Sequence, residues 1–407
     1  MIKNVLIVIL IAVLGLCLMP AGATAAPSKP EATKLTPEQR ANRITFSFYA
    51  EEAAKPGNLF FSPYSMYTAF AMAHEGARGR TASEMEKVFG FPAAMPAARA
   101  SLGVLAKDLA AAAKGAEFVQ ANAFWAQQDY KFLPAYTRAL KNNYGAEARS
   151  ADFKTTTEKA RKAINSWADK KTKGKIQDLF AEGALNSLTR LVLVNAVYFK
   201  GAWQGSFDKE MTMEADFTLN SGDKIKTKLM TFGENPRLEY GETAEAQLLR
   251  LPYKGGTLAM LIALPRDKEA MGKLEKKLSA EQLEAMRKAL APQKVKVYLP
   301  RFTFSSGFQL NGPLAQLGMP MAFTDAADFS GMDGTRKLFI QKAVQKAFVE
   351  VNEEGTEAAA ATGVAMGLKS MDFDFAMFRA DRPFLFFIED VKTGALLFMG
   401  RLEDPSK

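Results

Sequence analysis

Apolar residues recur at intervals of three and four over residues 37–54, the spacing of one buried helical face. A second helix is predicted to open at Ser62-Pro63, a capping residue followed by proline at the first helical position. Thr81-Ala82-Ser83-Glu84 is a capping-box sequence and predicts the start of a third. Residues 97–114, 134–144 and 156–173 continue the helical texture, and beyond Leu188 it changes. Leu191-Val192-Leu193-Val194-Asn195-Ala196-Val197-Tyr198-Phe199 is β-type and too apolar for an exposed strand. Further strands are predicted at 215–219, 224–231, 247–253, 258–264, 294–303 and 338–351, with helical patches near 270–290 and 308–317. The chain closes in a buried hairpin: Pro383-Phe384-Leu385-Phe386-Phe387-Ile388, a turn at Lys392-Thr393-Gly394, then Ala395-Leu396-Leu397-Phe398-Met399-Gly400. Helices first and strands later predict an α+β fold. No repeat or low-complexity linker divides the chain, so one domain is expected over 37–407.

The N-terminus reads as an address. Lys3 precedes an apolar run at 5–19, then Pro20 and small residues ending Ala23-Thr24-Ala25-Ala26. A charged start, an apolar middle and an A-x-A site predict a signal peptide over 1–25, cleaved near Ala25, and a secreted or periplasmic product. The run is shorter than the ~20 residues that span a bilayer, so no membrane association is expected beyond it. Lipoprotein anchoring would use Cys17, but the bulky Leu16 before it argues against that processing. Residues 26–36 form a polar, Pro-containing leader.

Composition narrows the chemistry. With 48% hydrophobic and 24% charged residues the chain is neither generally disordered nor a polytopic membrane protein. Its 407 residues hold one Cys and one His. Once Cys17 is cleaved away, disulfides, thiol nucleophiles and Cys-based metal sites are excluded. A lone His74 leaves no second imidazole for a zinc cluster, and no cofactor is expected. A Ser-His-Asp triad would need His74, which sits at a predicted helix end, where a capping or surface role is the plainer reading. No G-x-S-x-G, P-loop or G-x-G-x-x-G occurs, so an enzyme is not expected. Net charge is +9, and Arg161-Lys162 with Lys170-Lys171, Lys173 and Lys175 reads as a solvated helix face. Without interleaved aromatics it does not predict nucleic-acid binding. The missing disulfides and the absence of any Asn-x-Ser/Thr acceptor point to a bacterial source.

The segment from Asn352 to Ser370 carries more information. By composition it is a small-residue linker or a short Ala-rich helix. Read with period two, Thr356, Ala358, Ala360, Thr362, Val364 and Met366 form one face and Glu357, Ala359, Ala361, Gly363, Ala365 and Gly367 the other. Such a stretch can be an exposed loop at one time and a sheet strand at another. Short side chains let it pass between two existing strands.

Here the chain resembles the serpins over essentially all of its mature length. The hinge Glu353-Glu354-Gly355-Thr356-Glu357-Ala358-Ala359-Ala360 looks like that of inhibitory members. Asn58-Leu59-Phe60-Phe61-Ser62-Pro63-Tyr64-Ser65 resembles the start of the family's second helix. Asn165-Ser166-Trp167 with Thr172-Lys173-Gly174-Lys175-Ile176 is similar to its sixth helix and exit. Val194 to Trp203 resembles the third strand of the large sheet, ending on the breach tryptophan Trp203. Asp381-Arg382-Pro383-Phe384-Leu385-Phe386 and Phe398-Met399-Gly400-Arg401 resemble the C-terminal hairpin.

The resemblance implies eight or nine helices around three sheets, with an exposed reactive-centre loop at about 354–376. It also implies a suicide-substrate inhibitor: a serine protease forms an acyl-enzyme on the loop, which inserts into the large sheet before the acyl bond hydrolyses. The implied reactive bond is Lys369-Ser370, Lys369 being seventeenth counted from Glu353, which suits a trypsin-like target. Met366, Leu368 or Met371 would instead serve chymotrypsin-like or subtilisin-like proteases. Cut at such a neighbouring bond, the loop could also serve elastase-like or cysteine proteases. A non-inhibitory carrier, chaperone or storage protein is the alternative, and the small hinge residues argue against it. The family's shutter joins Ser62, Ser65 and Asn195 to a His, where this chain has Gln345. The segment resembling a heparin-binding helix carries only Arg99, Lys107 and Lys114, which argues against heparin. The implied partner is the protease in a covalent complex, with a monomer able to form loop-sheet polymers.

Overall fold

In a computed structural model, residues 35–267, 270–356 and 375–407 are described, the side chain of residue 270 excepted. The signal peptide 1–25, Cys17 and most of the leader lie outside them. So do Glu357, Ala358, Ala359, Ala360, Lys369, Ser370 and the alternatives Met366, Leu368 and Met371.

Among the described residues the helices are α1 (Pro37–Ala53), α2 (Pro63–Gly76), α3 (Gly79–Phe89), α4 (Met95–Ala112), α5 (Pro134–Tyr144), α6 (Thr157–Lys171), α7 (Ala270–Lys277), α8 (Ala280–Lys288), α9 (Asn311–Gln316) and the short α10 (Ser330–Asp333). This exceeds the eight or nine expected, because the 270–290 patch is broken before Ser279, which caps α8 by accepting from Gln282 N. Ser62 caps α2 as its sequence predicts, accepting from Ser65 N. The Thr81 box does not cap α3, which starts two residues earlier at Gly79. Thr81 and Glu84 instead accept from the backbone N–H groups of Asp328 and Met321, tying α3 to a distant loop.

The strands are β1 (Leu59–Phe61), β2 (Ala116–Gln127), β3 (Glu147–Ala151), β4 (Leu191–Ala202), β5 (Asp208–Thr218), β6 (Lys224–Thr231), β7 (Arg237–Glu242), β8 (Ala246–Pro252), β9 (Leu258–Pro265), β10 (Ala291–Pro300), β11 (Phe302–Gln309), β12 (Lys342–Asn352), β13 (Gly355–Thr356), β14 (Ala376–Arg379), β15 (Phe384–Asp390) and β16 (Leu396–Leu402). One sheet, which holds β4 and is called the large sheet below after the family resemblance, runs β11-β12-β13-β4-β2-β3. The other runs β1-β16-β15-β9-β8-β7-β10-β6-β5, with β14 beside β10. These are two hydrogen-bonded networks where three sheets were expected, because β10 pairs β7 through its first half and β6 through its last two residues. The predicted 294–303 strand divides at Arg301, whose N–H donates to Lys228 O, so β10 and β11 belong to different sheets.

The main core lies between the sheets and α2, a helix with every residue buried, and includes Phe60, Phe70, Phe386 and Phe398. A second core packs α6 on the opposite face of the first sheet, with Ile164, Trp167 and Ala168 against Trp125, Val192, Val194 and Val344. The first sheet is therefore covered on both sides, which explains the unbroken apolar run of β4.

Candidate functional site at the opening of the large sheet

β4 and β12 are parallel neighbours from Val192 opposite Lys342 up to Tyr198 opposite Phe348. Above that level they separate, and β13 stands between them, antiparallel to both: Thr356 faces Gly201 on one side and Val351 on the other. The turn comes from Asn352, whose side-chain oxygen accepts from the N–H of Glu354 at 3.0 Å and of Gly355 at 3.2 Å, an Asx turn. Gly355 is demanded by close approach, since a Cβ there would lie 2.1 Å from Gly201 O. Thr356 is wholly buried, with its hydroxyl 2.7 Å from the Tyr253 hydroxyl. Burial pushes the Tyr253 hydroxyl far above its ordinary titration range, with the Thr356 bond working the other way, so it is a neutral partner.

The two glutamates before β13 are held from below. Glu353, 3% exposed, accepts from Thr212 Oγ1 at 2.8 Å and pairs with Arg301 at 3.3 Å. Glu354 pairs with Lys209. Trp203 closes this end. Its backbone N–H donates to Glu354 O, its indole N–H donates to Asn352 O at 3.0 Å, and its ring stacks on Tyr253 with centroids 4.7 Å apart.

Seven residues further down the strands lies a buried row of amides. Gln345 of β12, Asn195 of β4 and Asn122 of β2 are register partners. The Gln345 amide donates to Asn195 Oδ1 at 2.5 Å and to Ser62 O at 3.0 Å, and accepts from Ser62 N at 2.9 Å. The Asn195 amide donates to Ser65 Oγ at 2.5 Å and to Asn122 Oδ1. Ser62 Oγ donates to Leu397 O at 2.6 Å, reaching the second sheet. The predicted quartet is thus brought together at the N-terminus of α2, and it contains no titrating group. Asn122 is the member that sequence reasoning missed, because β2 itself was not predicted.

The lone imidazole is elsewhere. His74 is neither a surface nor a capping residue: it is buried, 3.1 Å from Glu86 and stacked on Phe91. Burial lowers its pKa, with Glu86 and Glu75 opposing and Arg78 adding to the drop. The basic stretch around α6 is matched by acids, with Lys171 on Glu147, Lys173 on Glu117, Lys175 on Glu350 and Arg161 on Glu158. Arg99 is engaged by Glu75.

A sheet parted at one end, a two-residue strand in the gap and a row of buried amides below it are the features of the site. The chain belongs to the serpin family: the profile described as Serpin (serine protease inhibitor) matches residues 39–405. It is 42% identical over 359 residues to the human leukocyte elastase inhibitor, covering 86% of this chain and 93% of that one. It is 40% identical over 368 residues to an uncharacterized serpin-like protein of Thermococcus kodakarensis, covering 89% and 84%. Among solved structures it resembles Serpin48 of the insect Tenebrio molitor, described as a highly specific serpin, with TM-score 0.81 and 31% identity over 90% of this chain and 98% of that one. The family is one of serine protease inhibitors, the human relative is named an inhibitor, and the protein is not an enzyme. These relatives come from animals and an archaeon, so the expectation of a bacterial source rests on the sequence features alone.

Proposed function

We propose that this protein is an exported suicide-substrate inhibitor of trypsin-like serine proteases, cut at Lys369-Ser370. The observation that carries the reading is β13: Gly355 and Thr356 already hold the first two rungs of a strand between β4 and β12. A chain continuing from Thr356 is antiparallel to both neighbours, so every added residue can bond on both sides. Cleavage at Lys369 frees that chain to zip downward while the protease is still bound to it as an acyl-enzyme.

In this reading Glu353, Glu354, Gly355, Thr356, Glu357, Ala358, Ala359 and Ala360 are the hinge. Ser62, Ser65, Asn195 and Gln345, joined by Asn122, are the shutter, and Trp203 is the breach residue. Continuing both observed registers from Thr356 brings Thr362 opposite Asn195 and Gln345 together. Its hydroxyl would take over the bonds these amides make to each other. Export rests on the N-terminal pattern, and the partner is the protease alone, held by a monomer.

Equimolar trypsin mixed with the mature protein, read on a denaturing gel with intact-mass analysis, tests this. A covalent adduct and a released peptide beginning at Ser370 are expected. Complete cleavage without adduct, with trypsin and with elastase-like and subtilisin-like enzymes alike, would contradict it.

A further inference from the structure

Phe375 is the first described residue after the reactive segment, and β14 begins at the next position. β14 lies parallel beside β10, with Met377 opposite Lys296 and Arg379 opposite Tyr298. Val295, Val297 and Phe378 are buried on the inner face, which leaves Lys296, Met377, Tyr298 and Arg379 together on the outer one. The Tyr298 ring is flanked by both cations, Lys296 Nζ at 5.7 Å and the Arg379 guanidinium at 5.0 Å from its centroid. Met377 is 47% exposed, one of few large apolar side chains left open among the described residues. The row continues along β10 to Lys294, paired across the strands with Arg237. Among the described residues of β14 and its exit the acid is Asp381, which sits between Arg379 and Arg382, and the sequence before Phe375 also holds Asp372 and Asp374.

We infer that this β10–β14 face is a second docking surface for the target protease, engaging an acidic and partly apolar patch beside the enzyme's cleft. The inference rests on the proposed inhibitory function and names the partner's surface chemistry. Chain length supports it. Met377 lies seven positions after Ser370, at most about 25 Å when extended. A protease of about 220 residues has a radius of gyration of about 17 Å, so an enzyme seated on Lys369-Ser370 overlaps the face with its own body. A cationic face beside a reactive bond speeds encounter with an anionic partner, an effect that falls with salt. Met377 and Tyr298 supply the apolar centre that such a contact needs.

The test compares anionic and cationic trypsin, which share primary specificity and differ in surface charge. The protein is Lys296→Glu/Arg379→Glu, with Lys87→Glu/Lys337→Glu as a control of equal net charge on α3 and the segment before β12. At low salt the wild type is expected to associate at least tenfold faster with anionic trypsin. The first variant should lose that advantage while its inhibitory stoichiometry stays unchanged, and the control should keep it. High salt should level all three. Equal losses in both variants, or none in either, would overturn the inference. Binding to catalytically inactive anhydro forms of the two trypsins needs no adduct. It therefore reads the docking surface even where adducts fail to form and the inhibitor reading itself falls.

Discussion

The hydroxyls of Thr356 and Tyr253 lie 2.7 Å apart at the head of the large sheet, one from the hinge and one from the bridge opposite Trp203. Through this contact β13 is anchored between β4 and β12.

A charge at position 356 cannot occupy that site, because burying an unpaired cation costs several kcal/mol. Thr356→Arg should expel β13 from the gap, slow insertion, and let the acyl bond hydrolyse first. The expected result is at least a tenfold rise in moles of inhibitor consumed per mole of protease, measured by titration. Thr356→Ser keeps the hydroxyl and should stay within twofold of wild type.

Gln345 serves both strands and the α2 cap, so Gln345→Ala leaves Ser62 N and Asn195 Oδ1 without their side-chain partner. At about 1–3 kcal/mol for each of these two buried groups left unsatisfied, a loss of roughly 2–6 kcal/mol is expected in urea unfolding. The variant should also form loop-sheet oligomers at lower temperature, seen by size-exclusion chromatography after mild heating.

Acid sensitivity should trace to His74 and not to the shutter. Its folded pKa lies below the ordinary 6.5 because burial disfavours the imidazolium. Below pH 6.5 the unfolded chain therefore binds the extra proton first, and stability falls as pH falls. His74→Gln should remove that part of the decline between about pH 6.5 and 5, measured as the pH dependence of the urea midpoint. An unchanged pH profile would mean His74 is not its source.

Much of this arrangement was legible in the chain. The β4 run and the C-terminal hairpin are apolar on both faces and bounded by turn residues, so periodicity finds them. Ser62 is legible on its own only as a cap, and its grouping with Ser65, Asn195 and Gln345 came from the family resemblance, since Gln345 stands among Lys342, Lys346 and Glu350 with no local signal to single it out. β2 was missed because Gln120, Asn122 and several alanines dilute its alternation, although Phe118, Phe124 and Trp125 pack as strand residues. With β2 went Asn122, whose place is set by register against Asn195 and not by any local signal. The Thr81 motif misled because its side chains serve a loop some 240 residues away, which no local rule records. The capping of the glutamates by Thr212, Arg301 and Lys209 is likewise tertiary.

The central claim is that the loop enters between β4 and β12 in the register begun by Thr356. Hydrogen exchange and thermal unfolding of the protein before and after loop cleavage test it most directly. The account predicts strong new protection of residues 357–365, with Thr362 level with Asn195 and Gln345. It also predicts a rise in unfolding midpoint of roughly 6 °C, the equivalent of about 5 kcal/mol in a domain of about 370 residues. Cleavage that leaves those amides exchanging freely and the midpoint unmoved would contradict it.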